Sequence, residues 1–316
     1  MEKKDRKIGR RGRIRLIYAV ALILYAAFVL LDAFVIPRDI ISAAEADSRI
    51  DDALKTSING EEYTPVVTGK SYDDGNIFIK IRTGRWLDTT LYIADVRIKD
   101  PSLMKTGLAG ESFGRNLAEN TSSIAERHGA VFAINGDYYG FRASGYVMRN
   151  GFLYRSESNT NYPYGEDLVI WKDGSFEITE EGAFTAEELE EQGAYQIFSF
   201  GPALVNHGEI KVVEDEEVER AQITNPRTAI GMVEPLHYIM VVSDGRTEES
   251  VGLSLYELGE LMQRLGCDCA YNLDGGGSST MWFNGEVLNK PTTYGDVIAE
   301  RPISDIIYIG YPDDQE

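Results

Sequence analysis

Four polar, glycine-rich segments interrupt the apolar pattern of the chain and hold its candidate chemistry. Each borders an apolar run, and loops at strand ends are common places for functional sites. The segments are Asn135 to Gly140, Asn225 to Ala229, Ser243 to Arg246 and Asn272 to Thr280. They supply three candidate catalytic carboxylates, Asp137, Asp244 and Asp274. Paired carboxylates suit glycoside cleavage, with one as nucleophile or base at the anomeric carbon and one as acid at the leaving oxygen.

Asp274 is followed by three glycines and three hydroxyl residues, Gly275 to Thr280. Consecutive glycines let the backbone approach a ligand and adopt positive φ, so that amides can converge on an anion while hydroxyls add donors. The pattern favours a phosphate or a sugar as ligand, with an ordinary hairpin turn as the alternative. No Gly-Lys-Ser follows, so this is not the phosphate loop of nucleotide hydrolases.

Several further side chains are candidates for substrate binding. Arg227 and Arg246 offer planar guanidinium forks for phosphate or carboxylate, with exposed salt bridges as the alternative. Tyr139, with its neighbour Tyr138, is a candidate stacking platform for a sugar ring or else a core residue. His207 lies in a predicted hairpin turn and is either a substrate-binding residue or a structural one.

The sequence assigns no metal site and no cofactor. It contains neither a His-Glu-x-x-His motif nor a Gly-x-Ser-x-Gly serine elbow. Its aspartates are abundant without forming a regular Asp-x-Asp-x-Asp loop, which leaves a Ca²⁺ or Mg²⁺ ion as an open alternative. Only two cysteines are present, so the fold does not depend on a disulfide framework.

The N-terminus predicts a membrane anchor. Eight basic residues lie within residues 1–15, and residues 16–36 are apolar apart from Asp32. About 20 apolar residues span a bilayer as a helix, and the basic flank places residues 1–15 in the cytoplasm with the rest outside. The alternative is a signal peptide cleaved after Ala44-Glu45-Ala46, although the apolar run is longer than is typical of such peptides.

Composition and periodicity predict one folded domain beyond the anchor. The net charge of -20, without a basic stripe past the N-terminus, argues against a nucleic-acid partner. Alternating apolar runs predict strands, among them residues 76–81, 90–98 and 239–242. Helices are expected near residues 116–128 and after Thr185 and Ser254, each of which forms a capping box with a glutamate three residues on. We therefore expect a stalk over residues 37–58 and a single α+β domain over residues 59–316, with a mixed sheet and a few packed helices.

Six segments in this order resemble the phosphodiester glycosidase family. They are FAINGDYYG (132–140), SFGPALV (199–205), NPRTAIGM (225–232), VVSDGR (241–246), GLSLYELGELMQRLG (252–266) and AYNLDGGGSSTM (270–281). The resemblance implies a hydrolase that removes a sugar from a sugar-1-phosphodiester. The N-terminal anchor and acidic outer domain resemble the bacterial envelope members of the family, which are associated with exopolysaccharides.

The resemblance and the loop chemistry together suggest roles for the candidate residues. Arg227, Ser278, Ser279 and the amides of Gly276 and Gly277 would hold the phosphate. Asp274 and Asp137 would act at the anomeric carbon, while Asp244 and Asn135 would orient sugar hydroxyls. The alternatives are a metal-dependent phosphodiesterase that breaks the P–O bond and an envelope protein that binds polysaccharide without turnover.

Overall fold

The computed structural model describes residues 10–42, 66–68, 70–159, 165–214, 224–294 and 297–311. Within these ranges the chain forms four α-helices and 23 strands. Every strand pair there is antiparallel. The predicted α+β class is therefore confirmed. The expectation of a mixed sheet is wrong, because the described strands form separate antiparallel sheets.

The largest sheet has nine strands. In spatial order they are β15 (Glu209–Ile210), β14 (Ala203–Asn206), β18 (Cys269–Asn272), β16 (Arg227–Glu234), β17 (His237–Ser243), β5 (Thr89–Ile98), β4 (Ile77–Trp86), β3 (Ser71–Asp73) and β2 (Val66–Thr68). The expected strands at residues 76–81, 90–98 and 239–242 all lie in this sheet, so their alternating apolar pattern identified them correctly.

Two five-stranded sheets complete the body of the domain. One contains β10 (Phe152–Arg155), β9 (Val147–Arg149), β13 (Ala194–Phe198), β11 (Glu166–Trp171) and β12 (Phe176–Glu180). The other contains β20 (Glu286–Val287), β19 (Met281–Phe283), β8 (Phe132–Asn135), β23 (Asp305–Ile309) and β6 (Met104–Leu108). Two-stranded pairs are formed by β1 (Arg38–Ser42) with β7 (Ser112–Arg115) and by β21 (Thr292–Tyr294) with β22 (Val297–Ile298).

One apolar core joins the three large sheets. Side chains alternate between the faces of a strand, so Ile77, Ile79 and Ile81 of β4 point together into this core. The same cluster takes Ile134 from β8 and Leu168 from β11, which come from the two smaller sheets. The loops at the ends of these strands are consequently anchored to the same packed core.

Four helices accompany the sheets: α1 (Arg10–Phe34), α2 (Thr121–Arg127), α3 (Ala186–Gln192) and α4 (Leu255–Arg264). The predicted capping boxes of α3 and α4 are both present, since Thr185 and Ser254 each accept a hydrogen bond from the backbone of a glutamate three residues on. Helix α2 begins five residues later than expected. Asn116 has a φ of 59°, a left-handed conformation that an α-helix does not accommodate.

The segment after the apolar helix differs from the expected stalk. Residues 16–34 of α1 are apolar and long enough to cross a membrane, and none of that span is buried against the domain. Strand β1, which follows directly, pairs with β7 of the domain instead of extending freely. Residues 43–58 of the predicted stalk lie outside the described residues. Cys267 and Cys269 are buried free thiols.

Gly252 allows a close approach that holds the Asn225 loop next to Leu253. Its φ is 97°, and an added Cβ would lie 2.4 Å from the carbonyl carbon and oxygen of Asn225. We expect Gly252→Ala to lower the free energy of unfolding by more than about 2 kcal/mol, since clash and backbone strain combine. Urea unfolding measures this change.

Gly84→Ala is the matched control, because an added Cβ there meets no atom within 4 Å. Its stability should stay within about 0.5 kcal/mol of the wild type. Equal effects of the two substitutions would contradict the close approach at Gly252.

Candidate active site

Asn135 forms hydrogen bonds that connect two loops, the one after β8 that contains Asp137 and the one after β18 that contains Asp274. Its side-chain amide donates to the carbonyl oxygen of Asp274 at 2.7 Å. Its carbonyl oxygen accepts from the hydroxyl of Thr228 at 2.7 Å and from the amide of Thr280 at 3.1 Å. This side chain is fully buried, so Asn135 fixes the positions of both loops, and its expected role in orienting a sugar hydroxyl stays a prediction.

Asp137 is a buried carboxylate surrounded by cations. Its side chain lies 2.5 Å from Nη2 of Arg142 and 3.6 Å from Nη2 of Arg149. The backbone amide of Ser199 also donates to it at 3.3 Å. Burial alone would raise the pKa of Asp137, but Arg142 and Arg149 outweigh that effect and hold the pKa below its ordinary value. Asp137 is therefore ionised at neutral pH.

A second carboxylate, Asp305, completes this network from the start of β23. It accepts the backbone amide of Asp137 at 2.7 Å and the Nε–H of Arg149 at 2.6 Å. Burial raises the pKa of Asp305 to about 6, against the opposing effect of Arg149. Loops from two different sheets are thus joined by charge-assisted hydrogen bonds directly beneath the site.

Asp274 is equally enclosed but has a different electrostatic environment. The hydroxyl of Ser278 donates to it at 2.5 Å, and Nη2 of Arg301 lies 3.1 Å from the same carboxylate oxygen. Burial is the dominant influence and raises the pKa of Asp274, with Arg301 and Ser278 opposing it. Asp137 and Asp274 thus have pKa values shifted in opposite directions, which is the pattern expected of a carboxylate and an acid that act together.

Three arginines surround the glycine loop that follows Asp274. The fork of Arg246 bonds Oδ1 of Asn225 through Nε at 3.1 Å and Nη2 at 2.9 Å. Arg227 is buried and donates from Nε to the carbonyl of Leu253 at 2.9 Å. Burial and the nearby charges of Arg301 and Arg227 lower the pKa of Arg246. The three positive charges therefore lie close enough to repel one another, and an anion between them would relieve that repulsion.

The glycine loop fits closely against these arginines. Gly276 has a φ of 62°, and a Cβ there would lie 2.7 Å from Nη2 of Arg246. Its amide donates to the carbonyl of Pro226 at 2.8 Å, so binding phosphate through that amide would require this bond to break. Gly277 packs on Thr293, because a Cβ would lie 2.9 Å from the Thr293 Cα. Ser279 has a buried hydroxyl with no hydrogen-bond partner in the structure.

Asp137 and Asp274 line one cavity of about 220 Å³. Its other lining residues are Tyr138, Phe141, Arg301, Pro302, Ile303 and Ser304. The rings of Tyr138 and Phe141 stack with centroids 5.1 Å apart, and each side chain is 38% exposed. This aromatic pair at the mouth is suited to contact the apolar face of a sugar.

Tyr139 is not part of that platform. It is fully buried, stacks on Phe113 at 5.1 Å and donates its hydroxyl to the carbonyl of Ser304 at 3.1 Å. Of the two roles that the sequence left open for Tyr139, this burial favours the core residue over the stacking platform. Tyr138 and Phe141, which flank it, are the exposed rings.

Two further candidates do not line the cavity. Asp244 has both carboxylate oxygens engaged, by the amide of Lys290 at 2.8 Å and the hydroxyl of Tyr92 at 3.3 Å. His207 lines a separate cavity of about 290 Å³ that also contains Asp268 and Cys269. Cys269 and Asp274 are five residues apart along β18 and its extension, roughly 16 Å of extended chain. The structure therefore does not bring His207 to the carboxylates.

Sequence reasoning missed the cationic partners of the two aspartates. Arg142, Arg149 and Arg301 lie in no recognised motif, and Arg301 follows Asp274 by 27 residues. Asp305 could have been recognised from the sequence. It is the first residue of the apolar run Asp305–Ile309, and a carboxylate at that position needs a partner. Among the described residues, no group of three or more His, Cys, Asp or Glu side chains is arranged to hold a metal ion.

Comparison with known proteins assigns the family. Residues 128–310, which hold both cavity aspartates, match the phosphodiester glycosidase family. The chain belongs to this family, as its resemblance predicted.

Two curated relatives illustrate the relationship. A SPbeta prophage-derived uncharacterized protein of Bacillus subtilis, YomE, is 32% identical over 206 residues, covering 64% of this chain and 31% of that protein. Human N-acetylglucosamine-1-phosphodiester alpha-N-acetylglucosaminidase is 26% identical over 214 residues, covering 66% of this chain and 36% of that protein. The chain thus spans about a third of the length of these relatives.

Solved structures share the fold. The catalytic domain of the zebrafish N-acetylglucosamine-1-phosphodiester alpha-N-acetylglucosaminidase, auto-inhibited by its pro-peptide, superimposes with a TM-score of 0.57 at 22% identity, covering 81% of this chain and 85% of that one. A hypothetical protein from Synechocystis gives a TM-score of 0.52 at 16% identity, covering 74% of this chain and 62% of that one. At these identities the likeness supports the fold alone.

The pairing of Asp137 with Arg142 predicts a measurable effect on stability. Arg142→Gln removes one of three cations that lower the pKa of Asp137, so that pKa should rise. A carboxylate with a lowered folded pKa stabilises the fold above its unfolded pKa, and this contribution is lost as the pH falls through the folded pKa. The variant should therefore lose about 2 kcal/mol at pH 7 and less near pH 3.

Urea unfolding at the two pH values measures this difference. Arg97→Gln is the control, since the Arg97 side chain is 58% exposed and lies 3.6 Å from Asp95; it should change stability by less than about 0.5 kcal/mol. A loss that is the same at both pH values would argue against the ion pair as its cause.

Proposed function

We propose that this chain hydrolyses a sugar-1-phosphodiester by cleaving the bond between the anomeric carbon and its oxygen. The observation that carries the proposal is the pair of cavity carboxylates with opposite pKa shifts, Asp137 and Asp274, beside the three arginines around the glycine loop. Family membership supports the same reaction class. The names of the mammalian relatives suggest N-acetylglucosamine as one candidate sugar.

In the proposed reaction, the C1–O bond breaks and its electron pair leaves with the phosphate oxygen. Water supplies a hydroxyl to C1, and its remaining proton balances the phosphomonoester that is released. A phosphate leaves more readily than an ordinary alcohol, so stabilising charge matters more than strong acid assistance. The site must therefore stabilise the negative charge that develops on the phosphate and the positive charge that develops on the sugar.

The arrangement of charges suggests a role for each group. Arg246 and Arg301, with Arg227 behind them, would bind the phosphate through charge-assisted hydrogen bonds. Asp274 lies next to Arg301 and has a raised pKa. It would therefore donate a proton to the leaving oxygen, or take up a proton at a later stage of the reaction. Asp137, held as an anion, would face the positive charge that develops at the anomeric carbon.

We further propose that the domain acts outside the cytoplasm on envelope or exopolysaccharide glycans. The unburied apolar span of residues 16–34 and the basic residues before it support a single-pass anchor with the N-terminus in the cytoplasm. The phosphorylated glycan and the membrane would then be the partners of this chain.

The test of the proposed function is the position of the bond that breaks. The detergent-solubilised full chain is incubated with a panel of sugar-1-phosphodiesters in ¹⁸O-labelled water, and the products are weighed by mass spectrometry. Label in the released sugar is expected, because water attacks carbon. Label in the phosphate would contradict the glycosidase and favour the phosphodiesterase alternative, whereas binding without turnover would favour a polysaccharide-binding protein.

Asp274→Asn should lower kcat/KM by about 100-fold or more, since the amide cannot carry the transferred proton. In the wild type, kcat/KM should fall as the pH rises through the raised pKa of Asp274. This fall in kcat/KM at high pH, the alkaline limb of the profile, should be absent from the residual activity of the variant. The pH profile of hydrolysis measures both effects.

Asp268→Asn is the matched control for this substitution. Asp268 is an exposed aspartate directly before β18, the strand that Asp274 follows. It lines the separate cavity together with His207. It should retain wild-type activity and the alkaline limb. Full activity in a folded Asp274→Asn variant would remove Asp274 from the reaction.

A further inference from the structure

The domain is fastened to the outer end of the apolar helix. Strand β1 begins four residues after α1 and pairs with β7 in the register Arg38 to Arg115 and Ile41 to Phe113. The side-chain amide of Asn116 donates to the carbonyl of Ile36 at 3.0 Å. The exit point of the helix is therefore fixed relative to β7 and Asn116.

The same segment holds one wall of the candidate active site. The backbone amide of Asn116 donates to the carbonyl of Gly140 at 3.0 Å, in the centre of the turn that joins Tyr138 to Phe141. Phe113 of β7 stacks on Tyr139 within that turn. The exposed rings at the cavity mouth thus rest on the strand that receives the chain from the membrane helix.

The opposite wall is attached to the same segment. Glu119, three residues after Asn116, exchanges two backbone hydrogen bonds with Ile303, at 2.9 and 2.8 Å. Ile303 lines the cavity together with Arg301 and Ser304. Residues 113–119 therefore connect both walls of the cavity to the end of the helix.

These contacts set the height of the cavity above the membrane. Asn116 bridges the carbonyl groups of Ile36 and Gly140, which places them within roughly 10 Å of each other. The apolar span ends near Ile36, and the polar layer of a bilayer is about 5 to 8 Å thick on each side. With α1 across the membrane, Tyr138 and Phe141 lie at the level of the lipid headgroups, where aromatic side chains are favoured.

We propose that the substrate is a sugar-1-phosphodiester whose second alcohol is a lipid embedded in the same leaflet. This inference rests on the proposed function and specifies its substrate class. The phosphate of such a lipid lies at headgroup level, which is the height of the cavity, and its sugar projects outward past Tyr138 and Phe141. The lipid chain stays in the bilayer, so the cavity needs to enclose only the sugar and the phosphate.

The test compares two diesters of the sugar that is released in the ¹⁸O assay. One is esterified to a long-chain prenol and embedded in vesicles, and the other is the soluble methyl diester. The full chain is reconstituted in those vesicles. A variant carries four Glu-Ala-Ala-Ala-Lys repeats between Ile36 and Pro37, a semi-rigid spacer of about 30 Å. The control carries the same spacer between Gly9 and Arg10, on the opposite side of the membrane span.

The wild type and the control should hydrolyse the embedded diester at least ten-fold faster than the spacer variant. All three should hydrolyse the methyl diester within two-fold of one another, because the spacer lies outside the cavity. Equal activity of the spacer variant on the embedded diester would overturn the inference. So would hydrolysis of the soluble diester alone, a result that would leave the proposed function intact.

The position of the cavity relative to the membrane can be measured independently of hydrolysis. Nitroxide labels are attached at Phe141→Cys and, in a second protein, at Asp268→Cys, while the native Cys267 and Cys269 are buried. Relaxation by a nickel chelate on lipid headgroups should be several-fold stronger at residue 141. Equal relaxation would overturn the membrane-proximal site whatever the activity. Strong relaxation at residue 141 without hydrolysis of either diester would instead contradict the proposed function.

Discussion

The buried ion network around Asp137 is the constraint on which the site depends. Asp137 follows β8, Arg149 comes from β9 and Asp305 begins β23, so the network joins two of the three large sheets. Removing these charges from water is costly, and the cost is offset only when the ions and their remaining hydrogen-bonding groups are well matched. The geometry of the loop after β8 is consequently tied to the register of β9 and β23.

The same network explains why two buried aspartates differ chemically. Burial pushes the pKa of both Asp137 and Asp274 upward. Asp137 has Arg142 and Arg149 close by, whereas Asp274 has Arg301, whose side chain is 38% exposed. The number and burial of the neighbouring cations thus decide the direction of each shift. Two residues of the same type in one cavity therefore have pKa values shifted in opposite directions.

The sequence predicted the parts of this site that depend on local pattern. The capping boxes at Thr185 and Ser254, the alternating strands and the loop around Asp274 all follow from residues within a few positions of one another. Arg301 could not be assigned in this way, since it reaches Asp274 through a fold that brings residues 27 positions apart into contact. The pairing of β1 with β7 was missed for the same reason. The sequence left both roles open for Tyr139, because a tyrosine beside a turn has the same sequence signal whether it is buried or exposed.

The charge distribution of the chain bears on how a substrate reaches the cavity. The net charge is -20, although eight basic residues lie in the first 15, so the chain beyond residue 15 is strongly acidic. Such a surface repels a polyanionic polymer approaching from solution, and the repulsion is screened beyond about 10 Å. In the proposed arrangement, a lipid phosphodiester enters along the membrane and carries a single negative charge at its phosphate. At short range it would meet Arg246, Arg301 and Arg227, whose charges lie close enough together to help lower the pKa of Arg246. The acidic surface and the three arginines would then act together, because the surface discourages extended anionic polymers while the arginines retain a single phosphate.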